Sequence, residues 1–141
     1  MKFHVFSRDE QNQPITAYEI HLDEIYYWIA ERTTTIVFYT IHGVFYKTAR
    51  FEELALLLKD RREIVRTERV IMVNTKNVVC YNSQVGKVFF EADTDSYHWT
   101  YISQSRISKL RTLLGAKKDI ADKNAPVYTP LNYKRKSVHA L

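Results

Sequence analysis

The sequence predicts a mainly β fold with one helix in the middle of the chain and one near its C-terminal end. Three observations carry this. Aromatic residues reach 13%, with 10 Tyr, 7 Phe and 2 Trp, and they gather with Val, Ile and Thr in short runs of strand texture. Only two stretches switch to a helical period. The runs also follow one another without regular strand–helix alternation, which argues against a doubly wound parallel sheet. At 141 residues, 45% apolar and 26% charged, the chain fits one domain with a sizeable core and a tail.

Residues 3–6 open a strand, and residues 7–14, polar and ending in Pro14, form a loop. Across 15–22, Tyr18, Ile20 and Leu22 alternate with Glu19 and His21, the pattern of a half-buried strand. Asp23 and Glu24 interrupt it before an apolar run at 25–29. After a polar connector at 31–34, residues 35–41 are β-branched or aromatic throughout, and His42 with Gly43 turns the chain into a return strand at 44–48. The period then changes. Phe51, Leu54, Ala55 and Leu58 stand at i, i+3, i+4 and i+7, one helical stripe. Glu52 and Glu53 fall in its first turn and Lys59, Arg61 and Arg62 at its end, the order the helix dipole favours. Strand texture returns at 69–73, 77–81, 86–90 and 98–102, with turns at 82–84 and 93–96. Ser103 is placed to cap a last helix whose apolar face is Ile107, Leu110 and Leu114, with Gly115 as its stop.

The formal net charge of +5 is uneven: residues 1–102 sum to −2 and residues 103–141 to +7. Such a basic segment suits either a phosphate-bearing partner or a solvated surface. The single cysteine, Cys80, leaves no internal disulfide, and among apolar neighbours it reads as a small buried residue of a cytoplasmic protein. None of His4, His21, His42, His98 and His139 stands at metal spacing with another His or with Cys80, so no metal is expected. Three glycines are too few for most phosphate-cradling or nucleophile-elbow motifs. The acidic pairs are accounted for by a helix start and by turns. The chain therefore reads as a non-enzyme with no cofactor. No apolar run approaches the roughly 18 residues of a membrane helix, and the N-terminus lacks a signal-peptide pattern, so no membrane contact is expected. Arg66, Arg69, Arg106, Lys109 and Arg111 fall at element ends or opposite a helix's apolar stripe, positions that suit phosphate and base contacts but on their own read first as ordinary surface charge.

The ordered set of segments resembles the LytTR DNA-binding domain. The resemblance runs from Ile20, Leu22, Asp23, Glu24, Ile25, Tyr26 and Tyr27 through the strand pair turning at Gly43 to Phe51, Glu52, Glu53 and Leu54. It continues across 64–74 and closes over 102–110, covering about residues 15–115. It implies an elongated arrangement of small antiparallel sheets with one central and one C-terminal helix. The division that follows is an N-terminal extension at 1–14, the LytTR-like domain at 15–115 and a basic tail at 116–141. Double-stranded DNA is the implied partner, read in the major groove by loops and not by a recognition helix. The implied role is a transcriptional regulator of the kind that serves as a response-regulator output domain. With only about 14 residues before the resemblance, no receiver domain is expected, and control falls to abundance, a homodimer or a regulatory protein partner.

The implied DNA contacts map onto this chain as Arg32 and Thr35 in the first loop, Arg66 and Arg69 in the second, and Ser103, Gln104, Ser105 and Arg106 in the third, with Lys109 beyond it. Val73 and Asn74 follow the family pattern. The chain departs from it at Glu68, where His is usual, at Val70, where Ser is usual, and at Gln104 and Ser105, where arginines are usual. A carboxylate and two missing cations weaken phosphate contacts. The alternative is therefore a protein-interaction module that keeps the fold, has weakened or lost DNA binding and controls another regulator. The tail is expected to dock through Tyr128, Leu131 and Tyr133, with Lys134, Arg135 and Lys136 touching phosphates.

Overall fold

An apolar run unbroken by polar residues, such as 25–29, needs cover on both faces of its strand. In the computed structural model, which describes residues 1–93 and 96–121, that run opens β3 (Ile25–Arg32), with Ile25, Tyr27 and Trp28 wholly buried. Around it stand β1 (Lys2–Arg8), β2 (Pro14–His21), β4 (Thr35–Thr40), β5 (Gly43–Thr48), β6 (Ile64–Glu68) and β7 (Ile71–Asn74). They form one antiparallel sheet in the order β2-β1-β5-β4-β3-β7-β6. A second sheet has the order β10-β9-β8-β11, from β8 (Val78–Asn82), β9 (Lys87–Asp93), β10 (Ser96–Tyr101) and the short β11 (Lys118–Asp119), which runs parallel to β8. The described residues are mainly β, with two α-helices, α1 (Phe51–Leu57) and α2 (Ile107–Leu114).

Each face of the larger sheet has its own core. Phe3, Val5, Ile20, Trp28, Phe38 and Met72 line one, closed by Phe51 and Leu54 of α1 and by Leu58. Tyr27, Tyr39, Val65 and Val73 line the other, packed on Val78, Val88 and Phe90 of the second sheet and on Ile107, Leu110 and Leu114 of α2. Tyr27 stacks on Tyr39 with ring centroids 4.5 Å apart. Both helical stripes read from the sequence are thus core.

Several boundaries differ from expectation. Residues 64–68, for which the sequence suggested no element, form β6, and the strand expected at 69–73 is β7, with Arg69 and Val70 as the turn before it. The segment shows no long alternation because it is buried on both sides: Ile64, Val65 and Thr67 are all buried. α1 closes at Leu57 with Leu58 as its C-cap, so Lys59, Arg61 and Arg62 lie past its end. The β4–β5 turn is Ile41 and His42, with Gly43 already in β5, opposite Thr40. β1 runs to Arg8, whose guanidinium bonds both Glu31 carboxylate oxygens at 2.9 and 3.0 Å and lies 3.9 Å from the Tyr46 ring centre. Its pairing with β2 and, at Phe6, with β5 ties the first residues into the sheet. The expected turn at 93–96 falls partly outside the described residues. The tail contacts expected at Tyr128, Leu131, Tyr133, Lys134, Arg135 and Lys136 fall wholly outside them.

Candidate nucleic-acid interface

Each of the three segments singled out in the sequence is a connection held by strands or a helix. The first is the β3–β4 hairpin end, where Arg32 pairs with Thr35 across Thr33 and Thr34. Its Thr34 carbonyl accepts from the Ala49 amide at 3.0 Å, which brings Arg50 and the start of α1 alongside. Arg32 is exposed and Thr35 half-buried.

The second segment is the end of β6 with its turn to β7. The Ala30 amide donates to the Val70 carbonyl at 3.1 Å, fixing this turn against the end of β3. As a result Arg32, Arg50 and Arg69 line one open cleft of about 640 Å³ together with Ala30, Thr33, Phe51, Glu52, Glu53 and Val70. All three arginines are exposed, and none makes an ion pair among the described residues. Arg66 differs. It lies within β6, opposite Met72, and not at a corner. Its Nη2 donates to Glu52 Oε1 at 2.7 Å, and its guanidinium carbon stands 5.0 Å from the centre of the Phe51 ring. Glu68, opposite Ile71, makes no ion pair with Arg66 or Arg69 among the described residues.

The third segment is a single 3-10 turn, Gln104–Arg106, leading into α2. The Ser103 amide donates to the Thr67 carbonyl of β6 at 2.8 Å, so this turn stands against the second segment. Ser103 is the N-cap of the turn, but its hydroxyl makes no cap bond. It lies instead 3.3 Å from Ser105 Oγ and 3.4 Å from Arg106 Nη1. Gln104, Ser105 and Lys109 are exposed and Arg106 is half-buried. No described contact ties Lys109 to the cleft. It sits on α2, one turn after Arg106.

The structure therefore joins the three segments at one end of the larger sheet, through two backbone hydrogen bonds that no local sequence pattern announces. Arg50 is the residue the sequence reading missed, and its only local sign is a cation standing just before the first apolar position of α1. Arg111 has other work. Its Nη2 donates to Ser83 Oγ at 2.8 Å and to Asp119 Oδ2 at 3.2 Å, holding β11 against β8. Burial pushes the Asp119 carboxyl up. Hydrogen bonds from the Ser83 hydroxyl and amide, the Ala121 amide and Arg111 outweigh that and hold it below its usual value. Among the described residues no cluster of His, Cys, Asp and Glu could hold a metal ion, and no helix is long and apolar enough to cross a membrane.

Comparison with solved structures finds a similar architecture in the LytTR DNA-binding domain of a Bacillus cereus protein described as a methyl-accepting/DNA response regulator. The TM-score is 0.58 at 16% identity, over 79% of this chain and 94% of that one. The chain has a LytTR-type fold. No family model and no curated protein matches the sequence. In this LytTR-type fold the cleft arginines come from a hairpin end, a helix approach and a β-turn. Its basic rim is thus built from connections held by a rigid sheet, the usual way a scaffold presents contact residues.

Proposed function

We propose that this chain is a transcriptional regulator that binds duplex DNA through the segments 32–35, 66–70 and 103–106 and enters the major groove with loops. The observation that carries this reading is the meeting of the three segments at one end of the sheet, with Arg32, Arg50 and Arg69 exposed around one cleft. Guanidiniums on rigid connections, without an ion pair among the described residues, suit phosphate oxygens and guanine edges, which take paired donors. The likeness to a DNA-binding domain of the same fold supports it. Contacts from turns, without a helix seated in the groove, draw part of their specificity from how readily the duplex bends.

A second reading has its own support. Glu52, Glu53 and Glu68 stand at the same end as the arginines, and Arg66 is already paired. Such a mixed face also suits a protein partner in a chain that has given up DNA. Mobility shift across a salt series separates the two. Phosphate contacts make log affinity fall linearly with log salt, by about 0.9 per phosphate neutralised. A steep slope, reduced in an Arg32→Ala/Arg69→Ala variant, supports DNA. Absence of duplex binding at low salt overturns the first reading in favour of the second.

A further inference from the structure

The acidic first turn of α1 has a simple local explanation, the favourable interaction of carboxylates with a helix start. The tertiary structure gives one of these residues a second engagement. Glu52 reaches across 14 positions in sequence to Arg66, with Oε1 2.7 Å from Nη2, and the guanidinium rests 5.0 Å from the Phe51 ring centre. Glu52 lines the same cleft as Arg32, Arg50 and Arg69, and its side chain is 74% exposed against 30% for that of Arg66. A carboxylate oxygen therefore sits on the guanidinium where a phosphate oxygen would otherwise sit. It belongs to a side chain mostly in water and is thus easily displaced.

We propose that Glu52 acts as a built-in phosphate mimic that occupies Arg66 and lowers the affinity of the interface for any duplex. This rests on the DNA-binding reading above. Phosphate contacts are the same on every duplex, so a competing carboxylate weakens binding to all sequences alike. The ratio between a target and a random site, which base contacts set, stays the same. The competitor sits on Arg66, whereas Arg32, Arg50 and Arg69 make no ion pair among the described residues.

The test uses the full chain and random-sequence duplex DNA, with affinity read over a salt series. Glu52→Gln keeps the size of the side chain and removes the charge. The expected result is binding of random duplex about twofold to fivefold tighter, the scale of an exposed ion pair. The slope of log affinity against log salt should steepen by about 0.9, one further phosphate neutralised. Arg66→Ala placed on Glu52→Gln should abolish both gains. Unchanged affinity and slope would overturn the proposal. So would weaker binding by Glu52→Gln, which would make Glu52 a positioning residue for Arg66. So would a gain that survives Arg66→Ala, which would reduce Glu52 to diffuse repulsion. If the unaltered chain binds no duplex at low salt, the DNA reading itself falls, and the proposal with it. A melting curve for each variant checks that the fold is kept.

Discussion

At the scale of single residues, the question is which cations are free to meet a ligand. Arg8 is committed to Glu31, Arg66 to Glu52 and Arg111 to Asp119, whereas Arg69 stands exposed in a two-residue turn with no ion pair among the described residues. Arg69→Ala is therefore expected to leave melting unchanged and to weaken duplex binding. A mobility shift at low salt that matches the parent would exclude Arg69 as a contact. Glu68, two positions from Arg66, adds negative charge to the same corner, and no cation among the described residues forms an ion pair with it. If this corner faces phosphates as proposed, Glu68→His should bind duplex more tightly, because it removes repulsion there. Equal or weaker binding would show that this carboxylate does not face the DNA. Cys80 was legible from its neighbours alone. It is buried, and that burial pushes its thiol up to about 11, consistent with a packing role and not a reactive one.

At the scale of elements, the helical stripe at 51–58 was fully readable. Its spacing names the core side, and Phe51, Leu54 and Leu58 are buried where it predicts. Leu54→Ala should cost about 2–5 kcal/mol, the range for a buried leucine cut back to alanine. Denaturant unfolding checks this, and a loss near that of a surface change, about 0.5 kcal/mol, would contradict the packing. β11 was not readable, because two residues have no period, and what holds them is Asp119 accepting from Ser83, Ala121 and Arg111. The folded Asp119 carboxyl is held below its usual value of 3.8. It therefore contributes stability above that pH and loses it as the pH falls through the lower folded value. Asp119→Asn should melt lower than the parent at neutral pH, with the gap closing as both are taken below pH 3.8. A gap constant with pH would show that the charge is not what holds the strand. β6 escaped sequence reading for a different reason. Ile64, Val65 and Thr67 face cover on both sides, and a five-residue strand buried on both sides has no alternation to show.

At the scale of the whole molecule, the candidate interface lies at one end of a sheet whose two faces both carry a core. The rest of the positive charge lies elsewhere in the chain. Residues 122–141 carry Lys123, Lys134, Arg135 and Lys136 against Asp122. If those cations meet phosphates, removing 122–141 should flatten the salt dependence of duplex binding, by about 0.9 for each phosphate no longer neutralised. An unchanged slope, with unchanged melting and unchanged mass in solution, would leave that segment without a part in binding.

The three candidate segments came from a resemblance to the LytTR domain; the residues themselves determined the mainly β class, both apolar helical stripes and the buried cysteine. These are local properties. Side-chain period and β-branched or aromatic content express backbone preference and burial within a window of a few residues. Only the tertiary structure decided that the segments meet, that Arg50 joins them, and that among the described residues Arg66 is in an ion pair while Arg32 and Arg69 are not. Each of those outcomes depends on a contact between positions far apart in the chain: Ala30 with Val70, Thr67 with Ser103, Glu52 with Arg66. A charge in the sequence is the same letter whether it faces water or a carboxylate. Which of the two it meets is set by the strand order β4-β3-β7-β6 and by the placement of α1 at its end. Those are products of packing two cores on one sheet, which no single stretch of residues encodes.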